Sequence, residues 1–269
     1  MQNKVIIITG ASSGIGLACA REFASRGAKL ALAARSSDKL KEIESELKAK
    51  GIEVISVQTD VSKEDDCKHL VEETINAFGQ IDILLNNAGI SMRAAFEDVD
   101  LSVLKQLMDV NFWGTVYCTK YALPQLLKQK GSVVGVSSIA GFIGLPGRTG
   151  YSASKFAMHG FLETIRTENL KKGLHVLIAA PGFTASNVRK AALTANGSQQ
   201  GETPRKEEKM MSAEEVAAHI AKAIIKRKRT LILTFVEGKL TVFLKKFFPA
   251  LLEKLTYNHM AKEPDSPIK

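Results

Sequence analysis

Val5-Ile6-Ile7-Ile8-Thr9-Gly10-Ala11-Ser12-Ser13-Gly14-Ile15-Gly16 is the stretch that decides the fold. Lys4–Thr9 is an apolar run rich in β-branched residues and reads as a strand. Gly14–Gly27 carries apolar residues at helical spacing and ends on glycine, a frequent helix terminator. The turn between them, Thr9–Gly16, lets backbone approach a phosphate. The helix N-terminus behind it supplies unpaired N–H groups and a favourable dipole. Gly10, Ser12, Ser13, Gly14, Ile15 and Gly16 are therefore candidates for holding a pyrophosphate. Three residues, not one, separate the first two glycines, and the strand–turn–helix context is what gives the motif its weight.

The same alternation continues outward. Ala28–Ala34 reads as a strand, Asp38–Lys50 as a charged amphipathic helix closed by Gly51, and Ile52–Gln58 as the next strand. Ser62 with Asp65 resembles a capping box for a helix running to Phe78. Ile81–Asn86 is again strand-like. A long helical stretch from Leu101 to Lys128 contains Pro124, which marks an expected kink. Gly131–Ser138, Tyr151–Lys172 and Leu174–Ala180 read as strand, helix and strand. After Pro181 the rhythm breaks into a polar loop, Phe183–Met211, of the kind that forms functional lids. Ser212 and Glu215 form a second capping box for a helix ending at Lys226–Arg229, and Thr230–Phe235 is a last strand. Alternating strands and helices imply βαβ units. The expected fold is α/β, a doubly wound Rossmann-type parallel sheet of about seven strands flanked by helices. Residues 1–235 form the dinucleotide-binding and catalytic part, with a C-terminal helical extension and tail at 236–269 belonging to the same domain. Glu263–Lys269 reads as a disordered tail.

Composition narrows the class. The 269 residues are 45% hydrophobic and carry a formal net charge of +9. That balance fits nucleic acid, an anionic membrane or an anionic small ligand, and the location of the charge decides among them. Cys19, Cys67 and Cys118 form no CxxC pair and read as reduced thiols in a cytoplasmic setting. His69, His159, His175, His219 and His259 show no metal-ligand spacing, so no metal site is expected. No export signal and no spanning helix are read in the chain.

At the end of the second strand, where NAD-binding folds place an acid on the ribose, the sequence reads Ala33-Ala34-Arg35-Ser36-Ser37. The Arg35 fork suits a phosphate dianion, so NADP(H) is expected over NAD(H). Tyr151 and Lys155 lie four apart on one helix face. An ammonium beside a phenol favours the phenolate and lowers its pKa, which would tune it for proton transfer near neutral pH. Ser137 and Ser138 end the preceding strand, where a hydroxyl can polarise a substrate oxygen.

Taken together, the TGxxxGxG loop at Thr9–Gly16, Asn86-Asn87-Ala88-Gly89, Ser138, Tyr151xxxLys155 and Pro181-Gly182 resemble the short-chain dehydrogenase/reductase family over residues 3–235. Ser138 stands at the family's distance from the tyrosine, which selects it over Ser137. The resemblance implies Tyr151 as general acid/base and Lys155 as the group that tunes it and binds the nicotinamide ribose. It implies Ser138 as holder of the substrate oxygen, and Asn111 as anchor of a water linking Lys155 to solvent. It places Asp60 and Val61 beside the adenine, and Asn87, Ala88 and Gly89 along the cofactor. Pro181, Gly182, Thr184 and Ser186 would stand near the carboxamide, with Ser186 where the family usually has threonine. A homodimer or homotetramer is implied as well.

The C-terminus leaves two readings open. Leu240, Phe243, Leu244, Phe247, Leu251, Leu252 and Leu255 fall at helical spacing, with Lys245, Lys246 and Lys254 between them, and Pro249 divides the stretch into two short helices. One reading is a cap over the substrate pocket or a subunit interface. The other is a peripheral contact with an anionic membrane. The tail resembles hydroxysteroid and lipid-carbonyl reductases, which implies an apolar ketone such as a steroid or lipid ketone. Nucleic acid is not expected, because Lys226-Arg227-Lys228-Arg229 lacks interleaved aromatics. The functional alternative is a catalytically idle NADP(H)-binding regulator or scaffold, against which the full Ser138, Tyr151 and Lys155 set speaks.

Overall fold

In the computed structural model, residues 1–182, 184, 188–201 and 210–268 are described. The strands are β1 (Val5–Thr9), β2 (Lys29–Ala34), β3 (Val54–Gln58), β4 (Ile83–Asn86), β5 (Ser132–Val136), β6 (His175–Ala180) and β7 (Thr230–Ile232). They pair in parallel in the order β3-β2-β1-β4-β5-β6-β7. The helices are α1 (Gly14–Ser25), α2 (Ser37–Ala49), α3 (Glu64–Phe78), α4 (Leu101–Leu107), α5 (Gly114–Lys128), α6 (Thr149–Glu168), α7 (Ala213–Ile225), α8 (Thr241–Phe247) and α9 (Pro249–Ala261).

The central strands are continuous apolar runs because both faces are covered. Along β1, Ile6 and Ile8 enter the layer packed by α1, α2 and α7, while Ile7 enters the opposite layer packed by α3, α5 and α6. Each fully buried isoleucine or leucine contributes roughly 1.5–3 kcal/mol. The winding reverses at β1, which pairs with β2 on one side and β4 on the other. Ligands of doubly wound sheets bind in the crevice beyond the strand C-termini at that reversal. Thr9, Asn86, Val136 and Ala180 end their strands around it.

Several local expectations are corrected. The long helix is interrupted by a π-helical turn at Met108–Trp113, and Pro124 lies inside α5 without ending it. The Asn111 carboxamide is bonded to the backbone of Ile90, and the Thr115 hydroxyl donates to the Asn111 carbonyl at 2.9 Å. The Ser62/Asp65 capping box does not form. The Asp60 carboxylate instead accepts from the Ser62 N–H and hydroxyl, Asp66 accepts from the Asp60 N–H, and α3 starts at Glu64. The Ser212/Glu215 box does form at the start of α7. The last strand is shorter than expected, because the chain turns at Phe235–Leu240 into a second π-helical turn.

The tail is placed against the body. Glu263 is 6% exposed and lies 3.8 Å from the Arg93 guanidinium, which also donates to the Pro264 carbonyl. A charge-assisted contact of this kind supplies what the polar sequence hides. Pro249 does open α9 at its first turn, as the division into two helices requires. Leu244 and Leu252 pack on Ile139, Ile143 and Ala180. Phe243, Phe247, Phe248, Leu251 and Leu255 remain about half exposed.

Candidate active site

Thr9 organises the phosphate loop. Its hydroxyl accepts the N–H groups of Asn87 and Ala88, each at 3.0 Å, tying the end of β1 to the end of β4. The Asn87 amide donates to the carbonyls of Thr9 (2.9 Å) and Gly10 (3.2 Å). Gly10 takes φ of +66°, and a Cβ there would stand 2.9 Å from the Ala88 Cα. A Cβ on Gly16 would collide with the Gly10 carbonyl. Only glycine leaves this loop close to β4 and to the start of α1.

A cavity of about 440 Å³ opens over the loop. Gly10, Ser12, Ser13, Gly14 and Ile15 line it at one side, with Gly16 behind them in α1. Arg35, Asp60 and Val61 border it beyond the ends of β2 and β3, and Asn87, Ala88 and Gly89 beyond β4. Ser138, Tyr151 and Lys155 line the far side with Pro181, Gly182 and Thr184. Ser186 lies outside the described residues. A glycine cradle at a helix N-terminus and a cavity beyond the strand C-termini fit a dinucleotide.

The far end has the geometry for proton transfer. Lys155 is buried, with Nζ 5.8 Å from the centre of the Tyr151 ring and 3.0 Å from the Val136 carbonyl, to which it donates. Burial lowers the Lys155 ammonium to about 8. Burial likewise raises the Tyr151 phenol above its ordinary value, and the adjacent Ser138 hydroxyl and Arg148 charge oppose that without reversing it. The expected depression of the phenol by Lys155 is therefore corrected. The ammonium is directed at a backbone carbonyl, and withdrawal of the ring from water outweighs the favourable neighbours.

The two serines separate cleanly. The Ser137 hydroxyl is 2.6 Å from His159 Nε2, whereas Ser138 stands beside the Tyr151 phenol and accepts from the Ala140 N–H at 3.2 Å. Burial, helped by the Lys155 charge, lowers His159 to about 4, so this histidine is neutral at ordinary pH. Asn111 is fully buried. Its carboxamide accepts from the Ile90 N–H at 2.8 Å and donates to the Ile90 carbonyl and the Ser154 hydroxyl. A Cβ on Gly89 would lie 3.0 Å from the Asn111 Oδ1 and 3.5 Å from Lys155 Nζ, so these three groups meet at one point.

Some contributors stand outside the expected site residues. Thr9 acts through its hydroxyl at a distance of 78 residues from Asn87, and Ser154 bridges Asn111 to the Tyr151 carbonyl. Arg148, one turn before Tyr151, and Arg189 also line the cavity. Arg148 was legible only as a cation three residues ahead of the tyrosine.

Comparison with known proteins agrees with this geometry. Residues 4–197 match the family model for short chain dehydrogenases. The chain is 35% identical to bovine (Bos taurus) dehydrogenase/reductase SDR family member 7B, over 99% of this chain and 84% of that protein. It is 44% identical to 11-beta-hydroxysteroid dehydrogenase 1A of Arabidopsis thaliana over 70% of this chain, which is 54% of that protein. Among solved structures, a short chain dehydrogenase/reductase from Burkholderia phymatum in complex with NAD superposes with a TM-score of 0.83 at 26% identity, covering 93% of this chain and 95% of that one. An alcohol dehydrogenase from the archaeon Thermococcus sibiricus complexed with 5-hydroxy-NADP gives 0.75 at 27% identity, covering 86% and 94%.

Proposed function

Because the chain belongs to the short-chain dehydrogenase/reductase family of oxidoreductases, we propose that it uses NADP(H) to interconvert an apolar ketone and its secondary alcohol. The observation that carries this reading is the meeting of Ser138, Tyr151 and Lys155 in the same cavity as the glycine loop. The Gly10–Gly16 loop, Asp60, Val61, the Asn87–Gly89 segment and Pro181–Thr184 would hold the dinucleotide. When bound, it would supply or accept the hydride.

The side chains handle the oxygen and the proton. In reduction, the Ser138 hydroxyl donates a hydrogen bond to the substrate oxygen as negative charge develops on it. Tyr151 gives that oxygen its phenolic proton, and burial keeps the phenol protonated and ready. Lys155, whose ammonium lies 5.8 Å from the centre of the Tyr151 ring, would bind the ribose. Asn111 fixes the backbone beside Lys155 and would anchor a water that returns the proton from solvent. Alcohol oxidation runs the same steps in reverse.

Arg35 supports NADP(H), since it stands at the cavity's rim where an acid would receive a ribose diol. An apolar ketone is supported by Ile90, Leu145 and Val188 in the lining and by the relative named as an 11-beta-hydroxysteroid dehydrogenase. The half-exposed Phe243, Phe247 and Leu251, with Lys245 and Lys246 among them, support docking of α8 and α9 on an anionic bilayer. No helix among the described residues is long and apolar enough to cross one. The direct test is NADPH oxidation across a panel of aliphatic, aryl and steroid ketones. NADPH that binds but is never consumed would replace the enzyme with a cofactor-binding regulator.

A further inference from the structure

Tyr151, Lys155 and His159 follow one another at intervals of four residues along α6, so they share a face of the helix. The proposed chemistry uses the first two and not the third. All three reach the end of β5. Ser138 stands beside the Tyr151 phenol, Lys155 donates to the Val136 carbonyl at 3.0 Å, and His159 Nε2 lies 2.6 Å from the hydroxyl of the intervening Ser137. Ser137 and Ser138 lie just past the strand and both line the cavity. The Ser137 N–H still donates to the Ala179 carbonyl at 2.7 Å. Ser138 opens a tight turn closed on itself. The Gly141 N–H donates to the Ser138 carbonyl at 3.0 Å, and the Ala140 N–H to the Ser138 hydroxyl at 3.2 Å. Both ends of that turn enclose His159. The Phe142 ring meets the imidazole edge to face with centres 4.6 Å apart. A Cβ on Gly141 would lie 2.6 Å from His159 Nε2 and 2.8 Å from the Ser137 hydroxyl.

Resting on the oxidoreductase reading above, we propose that His159 and Ser137 are positioning residues, whose bond fixes the end of β5 against α6 and so sets the Ser138 hydroxyl beside Tyr151. Both side chains are buried, and removing either leaves the other's polar atom without this partner. Burial and the Lys155 charge keep the imidazole neutral at ordinary pH, so it adds no second positive charge beside the ammonium. A reacting group displaced by about 1 Å loses about 10²-fold in rate, so release of Ser138 is read in kcat. Neither His159 nor Ser137 moves a proton in the reaction.

The test measures kcat, ketone KM, NADPH affinity and melting temperature for wild type, Ser137→Ala, His159→Leu and His159→Gln. It adds Ser138→Ala, alone and combined with His159→Leu, and uses a ketone that wild type accepts. Ser137→Ala and His159→Leu should each lower kcat about 10- to 100-fold with NADPH affinity changed by less than about threefold. His159→Gln, whose amide can meet the same hydroxyl, should recover most of the loss. Because the effect passes through Ser138, His159→Leu should cost less than about twofold once Ser138 is already alanine. The full loss persisting in the Ser138→Ala background overturns the proposal and leaves the pair as a packing contact. So does a lowered melting temperature with kcat unchanged. Should His159→Leu not fold, Ser137→Ala with and without Ser138→Ala decides by the same comparison. Turnover of no ketone by wild type instead overturns the oxidoreductase reading and this inference with it, whereas an active wild type with unaffected variants overturns this inference alone.

Discussion

Replacing Lys155 by methionine should stabilise the protein while disabling it. The Lys155 ammonium is buried, and burial brings it from the ordinary 10.5 to about 8. At about 1.36 kcal/mol per tenfold change in proton affinity, that difference is a penalty of about 3 kcal/mol for keeping the charge folded. Losing the 3.0 Å bond to the Val136 carbonyl returns about 1 kcal/mol of this. The net gain is about 2 kcal/mol, or about 4 to 8 °C in melting temperature for a domain of this size. The sign follows from linkage. Below about pH 8 the lysine is charged in both states and the penalty is complete. Between about 8 and 10.5 the unfolded chain binds more protons than the folded one, so wild-type stability rises with pH and the advantage of Lys155→Met shrinks. Thermal melts of both proteins without added nucleotide, from pH 7 to pH 10, read this directly. A variant no more stable than wild type at pH 7, or a difference that ignores pH, refutes the reasoning.

Three other outcomes are expected. Arg35→Ala should weaken NADPH binding about 10-fold or more and leave NADH binding nearly unchanged, as read by fluorescence titration; wild type binding NADPH no tighter than NADH sinks the cofactor assignment. Since burial raises the Tyr151 phenol above 10, ketone reduction should stay level through neutral pH and fall only in strongly alkaline solution, while alcohol oxidation climbs with pH. Single-direction pH profiles that peak near neutrality in both directions would contradict this. The whole chain should co-sediment with anionic liposomes at low salt, and Phe243→Ser with Phe247→Ser should reduce that several-fold; no sedimentation, or self-association in place of it, argues against a bilayer as the partner of α8 and α9.

The features legible in the sequence are those set by local chemistry. The Thr9–Gly16 turn needs glycine for steric reasons, and the fourfold spacing of Tyr151 and Lys155 is a property of any helix. The alternation of apolar runs and amphipathic helices, hence the parallel sheet, follows from burial on both faces. What was missed depends on contacts between distant segments. The π-helical turn at Met108–Trp113, where Asn111 reaches the backbone of Ile90, carries no mark in the local sequence. Glu263 looked solvated until Arg93, far away in sequence, met it. The phenol's pKa was misjudged because the spacing of Lys155 reveals proximity but not the Val136 carbonyl that receives its ammonium, nor the depth of burial.

The central claim is that the Tyr151 phenol delivers the proton beside Ser138. Single-turnover NADPH oxidation by Tyr151→Phe with an accepted ketone, alongside NADPH affinity, tests it most directly. The account predicts a rate reduced by about 10²- to 10⁴-fold with cofactor affinity changed by less than about threefold. Undiminished turnover by the phenylalanine variant would contradict it.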